Sequence, residues 1–145
     1  MQLEIAPMTA AQESTSFQID SDPAEVRRVQ ETVEAALKAL NYGEHDIFSI
    51  RLALEEALVN AIKHGNQCDP DKKVRIHFQV QRDHFEVRVK DEGAGFDPQG
   101  VPDPTAEENL ERPCGRGLML MRHYMNEVSY SPCGTAVHMR KTRKQ

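Results

Sequence analysis

The sequence predicts an α+β protein: a two-layer sandwich with helices on one face of a mixed, mainly antiparallel sheet. Three observations predict it. Two runs of alternating apolar residues lie close enough to form a hairpin, two long amphipathic helical patterns precede them, and a third helix with a second hairpin follows a Pro- and Gly-rich gap. A chain of 145 residues has the size of one domain able to bury a core. A single domain over 1–145 is expected.

The first element is a short strand carrying Phe17 and Ile19 between polar neighbours, with Leu3 and Ile5 as an expected partner segment. In "SDPAEVRRVQETVEAALKALNYG", Asp22 is placed to cap a helix, Pro23 suits the first helical position, and Glu25 stands at capping-box spacing. Val26, Val29, Val33, Ala36, Leu37 and Leu40 recur at helical spacing, and Gly43 is the expected stop. The second helix, "DIFSIRLALEEALVNAIKHG", carries its stripe at Ile47, Ile50, Leu54, Ala57, Leu58 and Ala61, with Gly65 at its end. Alternation then takes over. "VRIHFQV" and "FEVRVKD" each place their apolar residues on one face, and "QRDH" between them reads as a hairpin turn.

Residues 93–117 lose all periodicity and are interrupted by Pro98, Pro102, Pro104 and Pro113 as well as glycines. Loops of that length inside a compact domain are usually lids or binding segments. A third helix is expected over 118–125, with strands near 128–130 and 135–139 around a turn at 132–134. The end, "MRKTRKQ", reads as a solvated, disordered basic tail over 140–145.

A formal net charge of −5 gives no support to direct nucleic-acid binding, which needs a basic face or stripe. No apolar run approaches the roughly 20 residues of a membrane helix. The start, "MQLEIAPMTAAQ", lacks the basic and apolar regions of a secretory signal, so a soluble, cytoplasmic protein away from membranes is expected. Cys68, Cys114 and Cys133 are odd in number and lack C-x-x-C spacing, which argues against a disulfide framework or zinc site. Cys114, inside the long loop, is a candidate for alkylation. Met119, Met121 and Met125 are expected to fill the core. His77 should point outward from its strand, and His84 should lie at a turn.

Three groups of polar or small residues do not fit a core role. Glu56, Asn60 and His64 at i, i+4 and i+8 share one side of a helix, either as a solvated face or as oxygen ligands suited to a hard cation such as Mg²⁺. In "DEGAGF", Gly93 and Gly95 follow an acidic pair directly after a strand, so something must approach the backbone closely there. Gly115 and Gly117 precede the third helix, either as an ordinary turn or as backbone N–H donors for an anion at a helix start.

Together, a helical E-x-x-x-N, a strand followed by D-x-G-x-G, and a lid-like loop ending in G-x-G at a helix resemble the Bergerat-fold ATP-binding module. That module is shared by gyrase, histidine kinases and mismatch-repair proteins. The resemblance runs from about residue 47 to 139 and, with the preceding strand and helix, covers nearly the whole chain. Within the superfamily, "EEALVNAIKHG", "VKDEGAGFDP", "LERPCGRGLMLMRHYMNEV" and "GTAVHMRK" are most similar to bacterial anti-sigma-factor serine/threonine kinases of the sporulation and general-stress type.

The resemblance implies a histidine-kinase-like ATPase fold, ATP and Mg²⁺ as cofactors, and an ATP lid over about 96–117. It makes Asn60 the Mg²⁺ ligand bridging the ATP phosphates and Glu56 the general base. Asp91 would accept the adenine amino group, with Gly93 and Gly95 leaving room for the base and Thr135 nearby. The amides of Gly115, Gly117 and Leu118 would hold phosphate, with Arg112 or Arg116 adding positive charge. Lys63 and His64 could touch phosphate too, although His64 also suits a cation at a helix C-terminus. Arg28 resembles the partner-binding arginine of the sporulation-type kinases.

The implied function is an ATP-dependent serine/threonine protein kinase acting as an anti-sigma factor. It would phosphorylate a STAS-type antagonist in a partner-switching system, with a sigma factor or other regulator as second partner. A homodimer through the first strand and helix is also implied. The alternative is an ATP-responsive binding module that sequesters a partner without phosphorylating it. A sensor histidine kinase would need a dimerisation helix pair ahead of residue 47, and a gyrase-type ATPase would need a transducer domain to supply a lysine. Neither is expected.

Overall fold

The computed structural model describes residues 13–95 and 113–144. In order they form β1 (Glu13–Asp20), α1 (Glu25–Ala39), α2 (Glu44–Val59), a π-helical turn (Asn60–Gly65), β2 (Lys73–Val80) and β3 (His84–Lys90). Then come α3 (Pro113–Tyr124), β4 (Glu127–Tyr130) and β5 (Ala136–Thr142). The strands make one sheet in the order β1-β2-β3-β5-β4. Every described pairing is antiparallel, so the parallel component of the expected mixed sheet is missing among the described strands. β1 pairs with β2, placing Phe17 opposite Ile76 and Ile19 opposite Val74. Leu3 and Ile5 lie outside the described residues.

The periodicities explain the two layers. Val26, Val29, Val33 and Leu37 of α1 and Ile47, Ile50, Leu54, Ala57 and Leu58 of α2 are buried against the sheet. The sheet presents the alternate residues of β2 and β3, Val74 to Val80 and Phe85 to Val89, and Val137 and Met139 of β5. Each of these Val, Leu, Ile, Phe and Met side chains, fully buried, contributes roughly 1.5–3 kcal/mol. Gln30 ties the two helices together by donating to the Arg51 carbonyl at 3.1 Å. Among the described residues no helix is long and apolar enough to cross a membrane.

Several expectations need correction. α1 ends at Ala39, and Asn41 rather than Gly43 supplies the stop: Asn41 takes φ +60° while the N–H groups of Asn41 and Tyr42 return to the carbonyls of Lys38 and Leu37, a Schellman closure. Gly43 instead precedes α2 with extended backbone. α3 begins at Pro113, five residues earlier than expected, because proline at a first helical position costs no hydrogen bond. Met121 and Met125 are buried, but Met119 is 37 % exposed. His84 is buried, bonded to Asp83 at 2.8 Å and to Glu86 at 2.9 Å.

The basic end is ordered rather than a loose tail. β5 pairs with β3 as far as Thr142 opposite His84. Beyond it, the Arg143 guanidinium donates to the carbonyls of Asn41 and Arg82 and lies 4.6 Å from the Tyr42 ring centroid. The Lys144 N–H donates to the buried Asp46 carboxylate at 2.8 Å. Arg143 is thereby held against the end of α1 and the β2–β3 turn.

Candidate functional site

A cleft of about 350 Å³ opens between the end of the second helix, the end of β3 and the start of β5. Its volume lies within the range of small-molecule sites. Ala57, Ala61, Val89, Ala136 and Val137 give it an apolar floor, and its polar lining includes Asn60, His64, Asp91 and Thr135. These four were singled out by the sequence, and the fold brings them together from three elements.

The helix changes hand-over at Asn60. From Asn60 to Gly65 it widens into a π turn, closed by the Asn66 N–H donating to the Ala61 carbonyl at 2.8 Å. π turns inside α-helices frequently occur at functional sites. Here the turn carries both Asn60 and His64 into the cleft lining, and Asn60 Nδ2 is buried with no hydrogen-bond partner among the described residues. An orphaned donor of this kind is costly unless something else satisfies it. Glu56 sits one turn earlier, half-buried and outside the lining. Lys63 is exposed and also outside it.

Asp91 begins where β3 stops. Its N–H donates to the Thr135 carbonyl at 2.8 Å, and its carboxylate accepts the Gly93 N–H at 2.8 Å. Burial raises its pKa above the ordinary carboxylate value, against the opposing pull of the Gly93 N–H and the Lys72 ammonium. A recessed acceptor with one oxygen already bound is suited to reading a ligand N–H.

The glycines are needed by the fold itself. A Cβ on Gly93 would overlap the Gly65 carbonyl, and Gly93 does not line the cleft. A Cβ on Gly65 would overlap the Asp91 carboxylate. Gly95, at φ +81°, lies against the Cys133 carbonyl and does line the cleft. What approaches these backbones is the chain itself, wedging Asp91 into place.

Asn66, which the sequence reading passed over, is the hub of this arrangement. Only 1 % exposed, it donates to Ser21 Oγ at 2.9 Å and to the Lys73 carbonyl at 3.0 Å, and accepts the Glu92 N–H at 2.8 Å. It therefore fixes the residue next to Asp91. Lys72, Gln67 and Tyr130 also line the cleft and were missed, since only the tertiary fold brings them there. Thr135 Oγ1 lies 3.1 Å from Cys133 Sγ, and this contact, with the Thr135 backbone and Ser131, lowers the exposed thiol to about 7.

Gly115, Arg116, Gly117 and Leu118 fall inside the first turns of α3, not ahead of it. The N–H groups from the N-cap to the third helical residue lack internal partners, which leaves Gly115 able to donate but places Arg116, Gly117 and Leu118 beyond them. Arg112 and the expected lid residues before Pro113 lie outside the described residues. Arg28 is exposed on α1, far along the chain from the cleft, with its guanidinium 2.7 Å from Glu25.

Among the described residues, three helices lie on a five-stranded antiparallel sheet with the cleft between them, the layout of a small α+β domain of the histidine kinase-like ATPase class. The chain belongs to the histidine kinase-like ATPase domain family, which matches residues 19–141. It is 35% identical over 132 residues to an anti-sigma F factor of Halalkalibacterium halodurans, covering 87% of this chain and 88% of that protein. It is 29% identical over 143 residues to a serine-protein kinase RsbW of Bacillus licheniformis, covering 92% and 88%. In fold it matches a crystal structure of the RsbU and RsbW domains of a Mycobacterium tuberculosis protein, with a TM-score of 0.63 at 15% identity, over 91% of this chain and 32% of that one.

Proposed function

We propose that this chain is an ATP-dependent serine/threonine protein kinase acting as an anti-sigma factor, which phosphorylates a STAS-type antagonist in a partner-switching system. The observation that carries the reading is the joining, in one cleft, of a recessed carboxylate acceptor at Asp91 with an Asn60 amide nitrogen on the π turn that has no partner among the described residues. Adenine would give its amino N–H to Asp91, and the phosphates would extend toward Asn60 and His64. Residue similarity to proteins named anti-sigma F factor and serine-protein kinase RsbW supports the choice of reaction and of partners.

A Mg²⁺ ion would find one protein ligand here, the Asn60 carboxamide oxygen, while the buried Asn60 Nδ2 is a donor suited to phosphate. Among the described residues no three His, Cys, Asp or Glu could hold a metal by themselves. A cation here would take the Asn60 carboxamide oxygen together with phosphate oxygens, the mixed coordination that Mg²⁺ favours. It would neutralise phosphate charge. The acceptor hydroxyl attacks the γ-phosphorus, the bond to the β–γ bridging oxygen breaks, and ADP leaves with that electron pair. The hydroxyl proton passes to Glu56. Gly115, in the first turn of α3, would donate its backbone N–H to phosphate. Arg28 would meet the sigma factor or antagonist, and β1 with α1 would form a homodimer contact.

Calorimetry with Mg-ATP and Mg-ADP tests the site: saturable binding is expected, lost in Asp91→Asn and weakened in Asn60→Ala. Phosphate transfer to a STAS-type antagonist tests the reaction. Because Glu56 lies outside the cleft lining, a second reading stands beside the first: a module that binds ATP and sequesters its partner without transfer. Glu56→Gln separates the two. It is expected to cut transfer by about 10²-fold or more while leaving ATP affinity unchanged. Undiminished transfer in this variant removes Glu56 as base, and absence of transfer in the wild type favours sequestration.

A further inference from the structure

Among the described residues the helices cover one face of the sheet and leave the other uncovered, and that face is basic along β2 and β3 in a chain whose net charge is −5. On β2 and β3 the outward residues are Lys73, Arg75, His77 and Gln79, then His84, Glu86, Arg88 and Lys90. Glu86 is the only carboxylate among them, and it is held by His84 and His138 at 2.9 and 3.0 Å. Arg75, Arg88 and Lys90 are exposed and have no carboxylate within ion-pair distance among the described residues. Register places Arg75 directly opposite Lys90, and Arg88 opposite both His77 and His138.

Like charges set directly opposite one another on a sheet are destabilising. A surface kept in that state is compensated when an anionic partner settles on it. The face also has the form to receive one. A shallow groove of about 410 Å³ runs across it, lined in part by Ser16, Gln18, Arg75, His77, Arg88 and Lys90. We propose that this groove is a docking surface for an extended acidic segment of a partner protein.

The chemistry selects this occupant over others. Neighbouring strands stand about 4.8 Å apart, and same-face residues recur about every 6.7 Å along a strand. The three cations therefore fall in a patch roughly 10 Å across, and an extended segment presents its alternate carboxylates at the same 6.7 Å repeat. Single-stranded nucleic acid binds by stacking its bases on exposed aromatic rings. The one phenylalanine, tyrosine or tryptophan among the residues lining this groove, Phe17, is partly buried and packs edge-on to Phe78 at 6.5 Å, and His77 is held by Ser14 and Ser16. A second copy would bring the same positive face and be repelled. The groove belongs to the opposite layer from the cleft, so the two can be tested separately.

The experiment measures binding of a fluorescent glutamate–alanine peptide to the whole protein by anisotropy at low salt. Parallel titrations use single-stranded DNA of equal length and phosphatidylserine vesicles. The variant is Arg75→Gln, Arg88→Gln and Lys90→Gln together, with Lys38→Gln, Arg51→Gln and Arg122→Gln as a charge-matched control. The groove variant is expected to lose peptide affinity about tenfold or more, while the control stays within about twofold. Binding should weaken as salt approaches about 0.15 M, where the Debye length is about 8 Å. Circular dichroism and Mg-ATP binding unchanged from wild type show that the variant is folded.

Equal peptide loss in both triple variants would reduce the effect to net charge and overturn the proposal. So would no peptide binding by the wild type, or DNA or vesicle binding that is tighter than peptide binding and lost in the groove variant. A change of oligomeric state in the groove variant would reassign the face to a contact between copies of this chain.

Discussion

Gly65 and Asp91 face each other so closely that a Cβ on the glycine would overlap the carboxylate. Gly65→Ala must therefore displace either Asp91 or the end of the π turn. Overpacking of this kind costs about 1–3 kcal/mol, and denaturant unfolding is expected to show it; wild-type stability in the variant would mean that the two segments are not wedged. Asp91 itself runs the other way. Burial raises its pKa, with the Gly93 N–H and Lys72 opposing. A raised carboxyl pKa means that the native state keeps its proton to higher pH than the unfolded chain does. Stability then falls as pH rises between the two pKa values and stays lower above them. Asp91→Asn removes the charge but keeps an oxygen for the Gly93 N–H. Without nucleotide, this variant is expected to melt above the wild type near neutral pH, and a lower Tm there would show that the charge supports the fold.

At the scale of elements, β3 and β5 are joined across their outer face by Glu86. Burial pushes its carboxyl pKa up, but hydrogen bonds from His84 and His138 outweigh that and hold it below the ordinary value. A carboxyl held low stabilises the fold above its unfolded pKa, and that contribution is lost as pH falls through its folded pKa. Glu86→Gln is expected to cost about 1–2 kcal/mol at neutral pH and little in acid, read from urea unfolding across that range. A cost that does not change with pH would assign the effect to packing instead. None of this was legible in the sequence, where His84 read as a turn residue. The elements themselves were legible wherever period decided them, as in α1, α2, β2 and β3. Element ends were not. Asn41 is a weaker stop signal than Gly43, and "PCGRG" argues against helix because each interior glycine costs about 1 kcal/mol. The burial of Met121 and Met125 outweighs that local preference. The π turn has no signature in "NAIKHG" that separates it from an α-helix.

For the whole molecule, the sequence located the cleft through spacing along single elements: Asn60 and His64 on one helix, Asp91 at a strand end, Thr135 at a strand start. It could not supply Asn66, Lys72 or Tyr130, whose placement depends on how separate elements pack. That dependence carries a thermodynamic consequence. A ligand held between the π turn, β3 and β5 binds only the folded chain, so it stabilises the entire fold by RT ln(1 + [L]/Kd), about 2.7 kcal/mol at a hundredfold excess over Kd. In a domain of this size that amounts to a rise in Tm of roughly 5–10 °C. Mg-ATP is expected to produce this shift in the wild type and none in Asp91→Asn, even though the variant starts from a higher Tm. The two effects of one substitution, a gain without nucleotide and a loss of response to it, distinguish a binding residue from a structural one. Equal shifts in both proteins would move the nucleotide away from Asp91, and with it the whole assignment of the cleft.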